Sequence, residues 1–310
     1  MSNARELAEL SGSYGTGGFV GMKNRIINGA MGISQRGTSF STPASGSYTL
    51  DRFAIAWSGA APASVAQVAG PTGFKNALQI TGAASNTAAY VIHRIESNNC
   101  SDLSGVTVTI QANIAVSSAQ TIGWNLLYAN SQDNFSGVTL ISSGTWSATT
   151  TATTFTATIT GLPAGSVNGL SLFIGANNFG AFTSGTVTIT GVQLEKGSTA
   201  TSFDYRPYGT ELALCQRYYQ YGGMQRAYSA NTGGQYAGQY YKFQVVPRAA
   251  PAVTVSAGGV TNRIQLSDAP TYTTSYQVAD ISSNGFLLVC TAGLSTGQYV
   301  GGDWIATAEL

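Results

Sequence analysis

Charge is what this chain has least of. Fourteen basic and thirteen acidic residues among 310 make 9%, against roughly 25% in an average globular chain. A formal net charge of +1, with no basic cluster, removes the electrostatic footprint of a nucleic-acid binder. Histidine is nearly missing too. The one copy, His93, sits in "AAYVIHRIES" with no nucleophile motif nearby, so a Ser-His-Asp arrangement would have to run through a strand histidine. Cys100, Cys215 and Cys290 are far apart, without a C-x-x-C pair. They make neither a disulfide framework nor a zinc set and read as reduced, buried thiols. No metal and no cofactor is expected. No uncharged run reaches the roughly 18 apolar residues of a membrane span, so membrane insertion is not expected. The opening "MSNARELAEL" carries acids where a secretory signal has an apolar core.

Glycine, with 38 copies, and Ala, Ser and Thr fill the space that charge leaves. Small and β-branched residues in alternation fit pleated surfaces and tight turns. "VTVTIQANIAV" (106–116) puts Val106, Val108, Ile110, Ile114 and Val116 on one face, with Thr107, Thr109, Gln111 and Asn113 opposite; this predicts a half-buried strand. "TIGWNLLYA" keeps Ile122, Trp124, Leu126 and Tyr128 in phase, which assigns those aromatics to the core. In "TVTITGVQL" the apolar parity changes between Ile189 and Val192, predicting a β-bulge at Gly191. Many short strands without helices between them argue for an antiparallel sandwich of Greek-key or jelly-roll type.

Four segments follow. Residues 1–22 form a short N-terminal segment: Asn3 caps a helix over 2–10 whose apolar side carries Leu7 and Leu10, followed by the Gly-rich "SGSYGTGGFVG", which misses the dinucleotide-binding spacing. Residues 23–206 are the sandwich. Residues 207–222 are a helical connector, with Thr210 as N-cap of a helix over 210–221. Its Leu212, Leu214, Cys215, Tyr218, Tyr219 and Tyr221 are apolar too far round for a surface helix, and are expected to pack between domains or protomers. Residues 223–310 return to alternation and read as a second, smaller β domain for oligomerisation or the tip. Within 192–220, Asp204 and Arg206, flanked by Phe203 and Tyr205, are expected to fix the chain's exit from its last strand; Glu195 and Lys196 read as solvated surface charges.

"KNRIINGAMGISQRGTSF", "YTLDRFAIAW" and "GVQLEKGSTATSFDYRPYGTELALCQRYYQ" resemble, in that order and spacing, the module found repeatedly in bacteriophage tail-fibre and related virion proteins. That module is similar to carbohydrate-binding modules with a galactose-binding-like jelly roll. The resemblance covers about residues 23–221. Phe53 stands where relatives often carry Trp, and "NGAM" departs from their commoner Asn-Gly-Asp-Phe-type run. The resemblance implies an all-β protein: a jelly-roll sandwich, a short helix and a smaller β domain, behind a short N-terminal anchor. It implies a non-enzymatic virion structural protein of the phage tail, assembled in the bacterial cytoplasm: a trimeric tail-fibre or receptor-binding component, joined to other tail or baseplate proteins through Asn3, Leu7 and Leu10. Host surface glycan is the expected partner, alongside further copies of the chain. Sugars stack on exposed aromatics, which singles out Trp57, Trp146 and Phe179 in the sandwich and Tyr236 and Tyr240 beyond it. Two alternatives stay open: a head decoration, head-fibre or adaptor protein without a receptor, and a polysaccharide-degrading tail hydrolase, whose chemistry needs only two well-spaced carboxylates.

Overall fold

A computed structural model describes residues 22–176, 182–228, 238–266, 271–291 and 299–310. The proposed anchor residues Asn3, Leu7 and Leu10 lie outside them, as do Phe179 and Tyr236. The chain divides into two compact units, one reaching to Glu211 and including Leu310, the other Leu212–Glu309. The division thus falls inside the segment expected to be a connector.

The first unit holds eleven strands: β1 (Ser39–Ser41), β2 (Phe53–Gly59), β3 (Ser64–Ala69), β4 (Asn76–Thr81), β5 (Asn86–Ile95), β6 (Val108–Val116), β7 (Gln120–Ser131), β8 (Asn134–Ala148), β9 (Thr153–Ile159), β10 (Leu170–Ala176) and β11 (Thr186–Lys196). They make two antiparallel sheets. Sheet A runs β1-β3-β4-β11-β6-β9 and sheet B runs β2-β5-β10-β7-β8. Only the β3–β4 and β7–β8 connections stay within one sheet; every other one carries the chain across the sandwich, in jelly-roll fashion. The inner faces follow the alternation in the sequence. Val108, Ile110, Ile114 and Val116 of β6 meet Ile122, Trp124 and Leu126 of β7 in one buried cluster.

The bulge is where the parity change puts it. The β11–β6 register slips between Thr190 and Gln193, so Val187 and Ile189 before the slip and Val192 and Leu194 after it all reach the core. Gly191 is held at φ +58°, and a Cβ there would lie 2.5 Å from Cζ of Phe74. Only glycine meets both conditions without strain.

The second unit is all-β after one helix, α1 (Tyr208–Gln216), which begins before the division and runs across it. Its strands are β12 (Tyr219–Tyr228), β13 (Gly238–Lys242), β14 (Ala252–Ala257), β15 (Val260–Thr261), β16 (Ile264–Leu266), β17 (Thr271–Thr273), β18 (Tyr276–Ala279), β19 (Gly285–Cys290) and β20 (Tyr299–Thr307). In sheet C, β20 lies between β12 on one side and β14 and β16 on the other; sheet D is β13-β19-β18. Phe243, Phe286 and Trp304 pack edge to face and tilted, with centroids 5.6–5.9 Å apart, at the centre of this unit's core.

The helix expected over 210–221 is corrected at both ends. It starts at Tyr208, where the Pro207 carbonyl accepts from the Glu211 amide, so Thr210 is inside the helix and not its cap. It stops at Gln216 because Tyr219, Tyr221 and the Gly222–Gly223 pair are poor helix formers that pair instead with β20. Gly191→Ala tests the bulge. It should lower stability by about 1–3 kcal/mol, read as a drop in urea midpoint with unchanged slope.

Candidate functional site

Four of the charges crowded into 192–220, Glu195, Asp204, Arg206 and Glu211, tie chain segments together. Arg206 Nη1 donates to Ile26 O at 3.0 Å and to both Glu211 oxygens at 3.1 and 3.2 Å, while Nη2 donates to the Asn24 carbonyl. Glu211 in turn accepts from the Asn28 amide. Asp204 accepts from the Asn24 amide. The Asn24 side chain receives the Ile26 and Leu194 amides and donates to Val192 O, pinning the incoming chain to β11. Glu195 corrects its reading as a solvated charge. It is 2% exposed and accepts from Gln193 Nε2, Thr201 N and Thr201 Oγ1 at 2.7–3.0 Å. Lys196 is the exposed one, bridged to Asp102 at 2.5 Å.

The "YTLDRF" motif is used in the same way. Asp51 accepts from the backbone and side chain of Gln35 at 2.6 Å, and buried Arg52 donates to the Arg94 carbonyl. His93 packs 5.1 Å from the Phe53 ring, with Nε2 at 3.1 Å from both the amide and the carbonyl oxygen of Ile27. Its Nδ1 is buried without a partner. Burial, then the charge of Arg52, hold its pKa well below the usual 6.5. Burial likewise pushes the Cys100 thiol up to about 12, far from a thiolate nucleophile. Among the described residues no group of three His, Cys, Asp or Glu could hold a metal ion.

A different kind of site lies on the outer face of sheet A. There a pocket of about 200 Å³ is lined by Ala69, Gly70, Pro71, Asn113, Ala115, Ala152, Thr188 and Thr190. Register explains how distant residues meet: Thr188 pairs with Ala115 and Thr190 with Asn113 across β11 and β6. The hydrogen-bonding capacity is only partly used. Asn113 Nδ2 donates to Thr154 at 3.0 Å, but its Oδ1 is buried with no partner. Thr188 Oγ1 accepts from Gln79, leaving its O–H to donate; Thr190 Oγ1 donates to Asn76 O, leaving a lone pair. No lining residue is charged. The β3–β4 loop that supplies Gly70 and Pro71 also carries Phe74, whose ring lies 5.3 Å from Phe203 and 5.7 Å from Tyr205. Tyr205 is 55% exposed and its hydroxyl donates to the Gly73 carbonyl.

The aromatics picked from the sequence are not gathered here. Trp146 is a correction: it is buried, stacked on Phe155 at 5.9 Å and tilted to Trp124 at 6.0 Å, with Nε1 donating to Thr156 O. Its partner across β7 is Ile122, an inward position. Trp57 is half-buried against the core, with its Nε1 bonded to Pro43 O at 2.9 Å. Tyr240, in sheet D, is 40% exposed with its hydroxyl 3.3 Å from Ser282 Oγ. Of the residues expected to pack between domains or protomers, Cys215 and Tyr218 are buried, Leu212, Leu214 and Tyr219 are half-buried and Tyr221 is exposed. Asn113 was legible as an outward strand residue, but nothing local in the sequence pairs it with Thr190.

No family model and no curated protein matches the chain. Solved structures match in fold only. A CBM4 module is 17% identical with a TM-score of 0.38, over 56% of this chain and 99% of that one. A putative sugar binding protein from Bacteroides thetaiotaomicron VPI-5482 is 13% identical with a TM-score of 0.35, over 56% and 100%. The enzymatically active domain of bacteriophage CBA120 tailspike protein 4 is 11% identical with a TM-score of 0.37, over 51% of this chain and 21% of that one.

Two predictions follow from these ties. Arg206→Ala leaves Glu211 and two backbone carbonyls without their donor in a mostly buried position. It should cost about 3–5 kcal/mol, measured by urea unfolding. Charging His93 would give Nδ1 a proton with no acceptor. Because the folded pKa lies below the unfolded value near 6.5, stability should be full above that pH and fall as pH drops toward the folded pKa. The urea midpoint should therefore decrease from pH 7.5 to 5.0, and His93→Gln should flatten that decrease.

Proposed function

We propose that this protein is a non-catalytic glycan-binding component of a bacteriophage particle, with the sheet A pocket as a saccharide site. The observation that carries the reading is the pocket's uncharged, half-satisfied lining. Asn113 Oδ1 is a buried acceptor without a donor and half-buried Thr188 has a hydroxyl proton to give, while buried Thr190, bonded to Asn76 O, forms part of the wall. A sugar hydroxyl is both donor and acceptor, and so answers both kinds of vacancy. A volume of about 200 Å³ is below the roughly 300 Å³ lower bound of drug-sized sites; it suits one ring or a substituent of a longer chain. Exposed Tyr205 beside Phe74 offers an apolar face to a neighbouring residue of that chain.

The placement in a phage tail rests on the resemblance of the quoted motifs to tail-fibre proteins, and attachment through residues 1–22 and trimerisation rest on the same resemblance. Non-catalysis is supported by how the acids of the tail segment are used: Glu195, Asp204 and Glu211 are all engaged with backbone or partner groups.

Immobilised host lipopolysaccharide and capsule fragments test the reading. Binding should survive a rise from 0.05 to 0.5 M salt, because no charge lines the pocket. Asn113→Ala and Thr188→Val should each weaken it at least tenfold with unchanged melting temperature. No binding by the parent protein, equal binding by both variants, or release of new reducing ends would overturn it.

A further inference from the structure

The outer face of sheet C holds a second set of groups, apart from the sheet A pocket. Trp304 and Val255 point into the second unit's core, so the intervening positions of the same strands point outward. Three cross-strand rows result. Gly223, Asp303 and Ser256 form one; Tyr221, Ile305 and Thr254 the next; Tyr219, Thr307 and Ala252 the third. Asp303 is exposed and makes no hydrogen bond or ion pair among the described residues, and no basic side chain stands in these rows. Tyr221, in the adjacent row, is 54% exposed. Gly223 keeps the space beside the carboxylate open: the nearest atom to a Cβ there would be Asp303 Oδ1, at 3.9 Å.

We propose that this face is a second saccharide-binding site, independent of the sheet A pocket. One face of a pyranose ring lies on Tyr221 and Ile305 while two adjacent hydroxyls donate to the Asp303 carboxylate. Diagonal neighbours in a sheet are roughly 7 Å apart, about the width of a sugar ring plus its hydroxyl. A carboxylate only accepts, and hydrogen bonds to it from hydroxyls are among the stronger neutral-to-ion contacts. Ser256 and Thr254 add hydroxyls on the far side of Asp303 and Ile305. Other occupants fit less well. A calcium ion takes about 6–8 oxygen ligands and meets a single carboxylate here. A second copy of the chain needs about 20–30 residues a side, more than twice the nine that these rows contain.

The test is NMR titration of the full-length, isotope-labelled protein with methyl glycosides of galactose, glucose, mannose and N-acetylglucosamine, and with their disaccharides. The proposal expects saturable shifts at the amides of Gly223, Ser256 and Ile305 with at least one glycoside. Tyr221→Ala and Asp303→Ala should each weaken that titration at least tenfold with unchanged melting temperature, while leaving shifts at Thr188 and Thr190 intact. Asn113→Ala should do the reverse, so failure of either site is seen separately. Absence of shifts on sheet C with every glycoside overturns the proposal. So does retention of those shifts in both variants, or their reproduction by calcium chloride or by raising protein concentration alone.

Discussion

The guanidinium of Arg206 reaches Ile26 O and Asn24 O, carbonyls some 180 residues earlier in the chain, and also holds Glu211. Asn24 completes the clasp by receiving the Ile26 and Leu194 amides. A sandwich of this kind brings its first and last segments to the same sheet, and neither segment there has a full ladder partner. The side chains of Asn24, Asp204, Arg206 and Glu211 stand in for that missing ladder. Removing any of them would strand buried backbone groups, which is costly in a way that loss of a surface charge is not.

The rest of the charge economy follows from this tie. Buried Asp51, Arg52 and Glu195 act in the same way elsewhere, holding Gln35, the Arg94 carbonyl and Thr201. Asp51, Arg52, Glu96 and Glu195 are buried outright, and the outer face of sheet A carries Thr109, Gln111, Asn113 and Thr188 in place of charge. Such a face attracts neither polyanions nor polycations at long range. What it does offer is a dense array of short-range donors and acceptors, the chemistry that recognises hydroxyl-rich ligands.

Strand existence and facing were legible because a two-residue period survives in "VTVTIQANIAV" and its neighbours, and the bulge at Gly191 could be placed from parity alone. Asp204 and Arg206 were legible as structural because aromatics flank them. Other features depended on partners that local sequence does not reveal. Trp146 sits among polar neighbours in "SSGTWSATT", yet its inward direction is set by pairing with Ile122. Glu195 looks like its exposed neighbour Lys196 until Thr201 folds back onto it. The end of α1 at Gln216 was hidden because Tyr218–Tyr221 fit an apolar helix as well as a strand, and β20, more than 75 residues later, decides between them. The sheet A pocket was out of reach for the same reason: it exists only once β6 and β11 are in register.

The central claim is that the clasp belongs to the cooperative core of the sandwich and does not merely decorate it. Native-state hydrogen exchange under increasing denaturant tests this directly, on the amides of Ile26, Ile33 and Leu194, which donate to Asn24 and Asn28. The account predicts that they exchange with the same free energy and denaturant slope as the central β6 amide of Ile110. Exchange of the clasp amides through a low-energy opening with a slope near zero, while Ile110 stays protected, would contradict it.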